Sequence, residues 1–225
     1  MNGTEDRMPE KKQVLAFGDS LTWGANPGGL GRHRFDDRWT SVVEAELAGA
    51  RIVPEGLGGR TTSFDDHSAM ANRNGVLVLP TLLGSHYPLD LVAIMLGTND
   101  LKPHLCGSVS GAAAGIERLA EIVQTFPYGY GARPPKVLII SPPLFRETRI
   151  GDRTPAGGRS IAESQNFAAA YRSVAEKKGC AFFDAAAVAV ASDVDGVHLD
   201  AENTRALGRG VVPVIAELLG LPLPD

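Results

Sequence analysis

A chain of 225 residues and 23.7 kDa is long enough for one domain with a full hydrophobic core. Hydrophobic residues make up 44% and charged residues 21% of the chain, which excludes a mostly disordered protein. The net charge of −4 offers no basic surface for a phosphate backbone, and no apolar run is long enough to cross a bilayer. We therefore expect neither nucleic acid nor a membrane as a partner.

The chain begins with a polar segment, residues 1–12 (MNGTEDRMPEKK), which we expect to be flexible. This segment lacks the apolar stretch of a secretory signal, so we expect a cytoplasmic protein. The two cysteines, Cys106 and Cys180, are too few for a disulfide framework. Residues 13–222 are predicted to form a single domain.

Five short apolar runs predict strands along the chain. They are nearly continuous rather than alternating, which is typical of strands that are covered on both faces. The runs are residues 13–17, 51–54, 91–96, 136–141 and 181–184.

Helical spacing of apolar residues appears between these runs, within residues 39–47, 116–123, 167–174 and 207–218. Asn203 is a candidate cap for the last helix. Strands that alternate with helices predict an α/β fold of three layers, in which a five-stranded, mainly parallel sheet has helices on both faces.

Two long irregular segments, residues 24–37 and 142–160, follow the first and fourth predicted strands. Loops of this length in a compact domain are usually functional or mobile. Both would emerge at the carboxyl edge of the sheet, where open α/β sheets bind ligands. Solvated surface loops are the alternative interpretation.

A candidate nucleophile follows the first strand, where the chain reads Gly18-Asp19-Ser20. A glycine permits the sharp turn that would present the Ser20 hydroxyl above the sheet, and a helix starting there would leave its N–H free as a donor. A helix cap is the competing interpretation of this serine.

A serine hydroxyl needs a base, and the base needs an orienting group. Among the five histidines, His198 alone lies in a tight turn with a carboxylate, Asp195-Gly196-Val197-His198. No histidine has the spacing of a metal site, and we expect no metal. The turn follows the last strand, which places both side chains at the same edge as Ser20.

Donors for a developing oxyanion are also present at this edge. Gly59 follows the second strand, and its N–H can approach a ligand closely. Asn99 follows the third strand and carries a side-chain N–H. Turn or cap positions are the alternative interpretation for Asn99 and for its neighbour Asp100.

Four sequence blocks, FGDSLTWG, GLGGRTT, LGTND and DGVHL, resemble the blocks that characterise the SGNH hydrolases, or GDSL esterases. They occur in the family's order between residues 17 and 199. The resemblance implies a flavodoxin-like sandwich and a catalytic triad of Ser20, Asp195 and His198. It also implies an oxyanion hole formed by the N–H of Ser20, Gly59 (with Gly58 as its rival) and Asn99, without a cofactor.

Trp23 and the Arg60-Thr61-Thr62 run are similar to the bacterial arylesterase/acyltransferase branch of the family. The resemblance implies a serine esterase that acts on short-chain or aryl esters through an acyl-enzyme, with acyltransferase side activity as a further expectation. Ala25 departs from the large aromatic residue that acyltransferase-like members often carry, which weakens that further expectation. Because related enzymes often form oligomers, we also expect a homo-oligomer.

Two other activities on the same fold are deacetylation of sugars and thioester hydrolysis. A nucleotide-binding module is a rival class, but Thr61 replaces the third glycine that such a motif requires after Gly56 and Gly58. Apolar residues that flank the candidate site predict pocket walls, with ordinary core packing as the alternative interpretation. They are Leu21, Trp23, Phe145, Ile150, Val197 and Leu199.

Overall fold

A computed structural model describes residues 10–29, 31–129 and 131–223. The strands are β1 (Lys12–Gly18), β2 (Ala50–Gly56), β3 (Leu91–Met95), β4 (Lys136–Ser141) and β5 (Ala181–Asp184). The helices are α1 (Ser20–Trp23), α2 (Trp39–Glu46), α3 (Gly75–His86), α4 (Val109–Thr125), α5 (Ile161–Ser164), α6 (Phe167–Lys178) and α7 (Ala201–Leu219). Most of the segment predicted to be flexible, residues 1–9, lies outside the described residues, and its last residue, Lys12, opens β1.

All five strands are parallel and follow the order β2-β1-β3-β4-β5. This order is the flavodoxin-like one, which confirms the predicted fold class. The direction of winding reverses between β1 and β3, and ligands of doubly wound sheets bind at that switch point, outside the carboxyl ends of the strands. The segments that follow β1 and β3 therefore occupy the position where a site is expected.

Helices cover both faces of the sheet because successive strand residues point to opposite sides. In β1, Leu15 and Phe17 face one core cluster, which includes residues of α3, α4 and α6. Val14 and Ala16 face the other cluster, which includes residues of α2 and α7. The continuous apolar runs of the sequence are thus explained by burial on both faces.

Helix α3 and the cap of α7 differ from the sequence-based expectation, and the short helix α5 lies where no element was predicted. Helix α3 was not predicted, because its run of Val and Leu residues lacks a clear helical period and contains Pro80, a residue that usually interrupts helices. The cap of α7 is Asp200 rather than Asn203: the Asp200 side chain accepts the backbone N–H of Asn203, which lies inside the helix. An N-cap side chain accepts from the third helical residue, so the acceptor stands three positions earlier in the chain.

Candidate active site

Ser20 is the first residue of α1, immediately beyond the carboxyl end of β1. The preceding Asp19 caps this short helix, and its Oδ1 accepts the N–H of Leu21 at 2.9 Å. A Cβ on Gly18 would lie 2.0 Å from Thr22 Oγ1, so only glycine lets the helix begin directly at the strand end. The N–H of Ser20 belongs to the first turn of a helix, where N–H groups have no intrahelical acceptor.

A continuous chain of hydrogen bonds joins Ser20, His198 and Asp195. The Ser20 Oγ lies 2.9 Å from His198 Nε2, and His198 Nδ1 lies 2.8 Å from Asp195 Oδ2. An ionised carboxylate only accepts hydrogen bonds, so the proton of the neutral imidazole resides on Nδ1. The Nε2 atom is then free to accept the hydroxyl proton of Ser20.

The carboxylate of Asp195 is held by the backbone as well as by His198. Its Oδ1 accepts the N–H groups of Val197 and His198, and its Oδ2 accepts the N–H of Gly28 at 2.8 Å. Burial alone would raise the pKa of Asp195, but these hydrogen bonds outweigh it and hold the pKa well below its usual range. Asp195 is therefore ionised across the neutral pH range.

Asn99 follows β3, the strand that pairs with β1, and is almost fully buried. Its Oδ1 accepts from Arg159 Nη2 at 2.8 Å. Its Nδ2 donates to the carbonyl of Arg60 at 3.1 Å and contacts Asp19 Oδ2 at 3.3 Å. Of these two Nδ2 contacts, the one with Asp19 is the longer.

The sequence patterns did not predict the structural roles of two buried carboxylates, Asp19 and Asp100. Burial raises the pKa of Asp19, against the opposing effects of the Leu21 N–H, His198 and Arg159. Burial also raises the pKa of Asp100 to about 6, against hydrogen bonds from the Thr62 N–H and hydroxyl. Asp100 thus ties the segment after β2 to the segment after β3. It also occupies the turn position considered for it, since its N–H donates to the carbonyl of Gly97 at 3.1 Å.

The segment after β2 turns at two adjacent glycines. Gly59 is buried with φ of 83°, and a Cβ there would lie 2.6 Å from the guanidinium carbon of Arg73. A Cβ on Gly58 would meet no atom within 4 Å. The turn therefore requires glycine at position 59 and tolerates a side chain at position 58, while the role of Gly59 as an oxyanion donor stays a prediction.

We expect Gly59→Ala to lower the free energy of unfolding by about 1–2 kcal/mol, because L residues are strained in the left-handed region. Gly58→Ala is the matched control, and its free energy of unfolding is expected to stay within about 0.5 kcal/mol of the parent. Urea unfolding of the two variants measures the difference. Equal stability of the two variants would contradict this account of the turn.

The long segment after β4, residues 142–160, is tied to the turn that carries Asp195. The N–H groups of Arg146 and Ala156 donate to the carbonyls of Gly196 and Asp195, at 3.1 and 2.8 Å. Arg149 adds a third bond through its N–H to the Asp193 carbonyl at 2.8 Å. This segment therefore acts as a brace for the Asp195 turn.

Most of the apolar residues predicted to line a pocket are core residues. Four are 2–4% exposed and belong to the two core clusters, so core packing is their role: Leu21, Phe145, Val197 and Leu199. Ile150 is 76% exposed, and its role as a pocket wall stays a prediction. Trp23 alone is partly exposed beside the site, with the Arg32 guanidinium 4.9 Å from its ring centroid. Periodicity does not distinguish an apolar residue that faces a cleft from one that faces the core.

A cavity of about 380 Å³ lies beside the residues that precede Asp195. Neither Ser20 nor His198 lines it, and none of the six predicted wall residues does. Its lining is mixed polar and apolar: Asn26, Pro27, Arg146, Arg149, Val190, Ala191, Ser192, Asp193, Val194, Asp200 and Asn203. The cavity is therefore separate from the Ser20–His198 pair.

The described part of the chain has neither a cluster of metal-ligating side chains nor a helix suited to cross a membrane. Among residues 10–29, 31–129 and 131–223, no group of three or more His, Cys, Asp or Glu side chains is arranged to hold a metal ion. Within the same ranges, no helix has the length and apolar character needed to span a bilayer.

A Ser–His–Asp chain of hydrogen bonds beside helix N–H groups is the arrangement of a hydrolase that uses a serine. The sequence model of the GDSL-like lipase/acylhydrolase family matches residues 16–206. The chain belongs to this family, which confirms the resemblance to the SGNH hydrolases. Among curated proteins, none matches the chain significantly.

Several solved structures are similar to this chain over nearly its whole length. A carbohydrate acetylesterase family member from Sinorhizobium meliloti is 48% identical with a TM-score of 0.87, covering 93% of this chain and 100% of that one. A proposed arylesterase from Agrobacterium tumefaciens is 53% identical with a TM-score of 0.88, covering 92% and 100%. The aryl esterase of M. smegmatis is 37% identical with a TM-score of 0.84, also covering 92% and 100%. The family and these relatives support ester hydrolysis as the class of reaction.

Proposed function

We propose that this protein is a serine esterase that hydrolyses short-chain or aryl esters through an acyl-enzyme. The observation that carries the proposal is the pair of hydrogen bonds from Ser20 Oγ to His198 Nε2 and from His198 Nδ1 to Asp195 Oδ2. This arrangement activates a hydroxyl that is otherwise a poor nucleophile near neutral pH.

The reaction follows from the protonation states. Ser20 Oγ attacks the acyl carbon while its proton passes to His198 Nε2, and Asp195 stabilises the imidazolium that forms. The tetrahedral oxyanion accepts the Ser20 N–H together with donors from Gly59 and Asn99. His198 then protonates the departing alkoxide. Water attacks the acyl-enzyme, loses its proton to His198, and releases the carboxylic acid as Ser20 regains its hydrogen.

The packing around Ser20 favours a small acyl group. Leu21, Phe145, Val197 and Leu199 are committed to the core, so these side chains build no long apolar channel for an extended acyl chain. The relatives named for aryl ester and carbohydrate acetyl ester hydrolysis are consistent with a small acyl group. Acetyl esters are accordingly the expected best substrates.

Removal of acetyl groups from carbohydrates is the second candidate function, favoured by the 48% identity to the S. meliloti relative. Both candidates share the acetyl group and differ in the alcohol. The test compares kcat/KM for p-nitrophenyl acetate, butyrate and octanoate with kcat/KM for an acetylated monosaccharide. A decline along the aryl series supports the small acyl site, and a higher value for the sugar acetate would select the second candidate. A maximum at octanoate would contradict both.

Asn99→Ala is expected to lower kcat by roughly 10²- to 10³-fold, because it removes a donor whose hydrogen bond strengthens in the transition state. KM for p-nitrophenyl acetate is expected to change little. Steady-state kinetics measure both constants. A large rise in KM with kcat intact would instead mark Asn99 as a residue that binds the substrate's ground state.

Asp195 is expected to remain ionised as the pH falls from neutral towards 5, because its pKa is held well below its usual range. An acid-side decline of kcat/KM for p-nitrophenyl acetate is therefore expected to come from groups other than Asp195, and burial raises the pKa of nearby Asp100 to about 6. An NMR titration of the Asp195 carboxyl carbon checks this expectation. An ionisation of Asp195 between pH 5 and 7 would contradict it.

A further inference from the structure

Arg159 lies near the end of the long segment after β4, and its side chain contacts Asn99. Its side chain is 7% exposed, and its three donor nitrogens all have acceptors. Nε donates to the Thr98 carbonyl at 2.7 Å, Nη2 donates to Asn99 Oδ1 at 2.8 Å, and Nη1 donates to the Ala156 carbonyl. One guanidinium thus binds both a backbone carbonyl and a side chain of the segment that follows β3.

The contact with Arg159 is the one that holds the oxygen of the Asn99 amide, while the Arg60 carbonyl and Asp19 accept from its nitrogen. A guanidinium has five N–H donors and no acceptor, so the amide atom that it meets must be the oxygen. The Nδ2 group must then point away from Arg159, towards Asp19 and the carbonyl of Arg60. A 180° flip of the amide would place N–H groups against N–H groups, with the guanidinium left short of an acceptor in a buried position.

Arg159 also connects Asn99 with the turn that carries Asp195. The carbonyl of Ala156 accepts from Arg159, and the N–H of the same residue donates to the carbonyl of Asp195 at 2.8 Å. The Asn99 amide and the Asp195 turn are therefore connected through a single residue of the brace. Burial lowers the pKa of the Arg159 guanidinium, and the nearby carboxylates of Asp19 and Asp195 oppose this effect.

We propose that Arg159 is a positioning residue for catalysis, which holds the Asn99 amide in the orientation that presents its N–H to the oxyanion. This inference rests on the proposed function, in which Asn99 is an oxyanion donor. Arg159 does not itself touch the reacting atoms, and its effect on the rate passes through Asn99. Preorganised donors stabilise a transition state only while they are held in the productive geometry.

A double-mutant cycle tests this dependence. Arg159→Met and Asn99→Ala are made singly and together, and kcat and KM are measured with p-nitrophenyl acetate. We expect Arg159→Met to lower kcat on the order of 10-fold to 100-fold in the parent protein, with KM nearly unchanged. In the Asn99→Ala background the same change is expected to lower kcat by less than about 3-fold, because the amide that it orients is gone.

Arg153→Met is the matched control on the same segment, since the Arg153 side chain is 70% exposed and pairs with Glu147 at the surface. It is expected to leave kcat and KM unchanged in both backgrounds. Arg159→Lys gives the cycle a second form if the methionine variant does not fold. Lysine keeps the charge, but its single nitrogen cannot reproduce the forked contact with the Thr98 carbonyl and Asn99 Oδ1.

The outcomes separate this inference from the proposed function. Equal fold losses from the Arg159 change in the parent and Asn99→Ala backgrounds would overturn the positioning role while leaving the esterase proposal intact. A rise in KM with kcat preserved in the Arg159 variant would overturn it as well. If Asn99→Ala alone leaves kcat unchanged, the oxyanion role of Asn99 fails, and the positioning role fails with it.

Discussion

Ser20→Ala is expected to lower kcat for p-nitrophenyl acetate by roughly 10⁵-fold or more, because no other group in the site can form the acyl-enzyme. The variant is expected to fold as the parent does, since alanine suits the first turn of α1 and only the bond to His198 is lost. The residual rate reflects oxyanion stabilisation and binding alone.

Steady-state kinetics with a thermal unfolding curve measure both parts of this expectation. Ser85→Ala is the matched control, because Ser85 is exposed on α3 and its hydroxyl donates to the carbonyl of Thr81. This control is expected to retain parental kcat and Tm. Substantial hydrolysis by folded Ser20→Ala would contradict the assignment of the nucleophile.

His198→Ala is expected to lower kcat nearly as far as Ser20→Ala, because the two residues act as one unit. The double variant is expected to be no slower than either single variant. Asp195→Asn is expected to lower kcat less, by about 10⁴-fold, because its carboxylate orients the imidazole and stabilises the imidazolium without taking the proton. Kinetics of the three single variants and the double variant establish this order.

Asp193→Asn is the matched control for the carboxylate. Asp193 and Asp200 are the nearest alternative partners in the sequence, but Asp193 accepts from the Arg149 guanidinium and Asp200 caps α7. Asp193→Asn is therefore expected to keep parental kcat. Full activity of Asp195→Asn, or a loss in Asp193→Asn equal to that of Asp195→Asn, would contradict the pairing of Asp195 with His198.

Much of the fold was predictable because its strands are buried on both faces. That burial produces continuous apolar runs, and the predicted β4 and β5 coincide with the observed strands to the residue. The edge on which the candidate residues meet was predictable for a topological reason, since parallel strands all end at one edge. Helix α3 escaped prediction because apolar residues also occupy its exposed positions, as Leu77 does, and because Pro80 argues against a helix.

The candidate site was predictable only where a motif carries a local geometry. Ser20 and the Asp195–His198 turn are defined by a few neighbouring residues, and the structure brings the three side chains within hydrogen-bond distance. Arg159 carries no such signal, because its two partners in the site, Asn99 and Thr98, lie 60 and 61 positions earlier in the chain and meet it only through the fold. The same reason explains why Leu21 and Phe145 were predicted to line a pocket but lie in the core. Their burial depends on tertiary packing and not on their spacing in the sequence.

The central claim, that Ser20 is the nucleophile, is tested most directly by covalent labelling with a p-nitrophenyl phosphonate. The leaving p-nitrophenolate reports one phosphonyl group transferred per chain, and the tryptic peptide of residues 13–32 contains Ser20 as its single serine. Mass spectrometry of the parent protein is predicted to find the phosphonyl mass on this peptide, and to find none on Ser20→Ala. A label on another serine, or equal labelling of Ser20→Ala, would contradict the account.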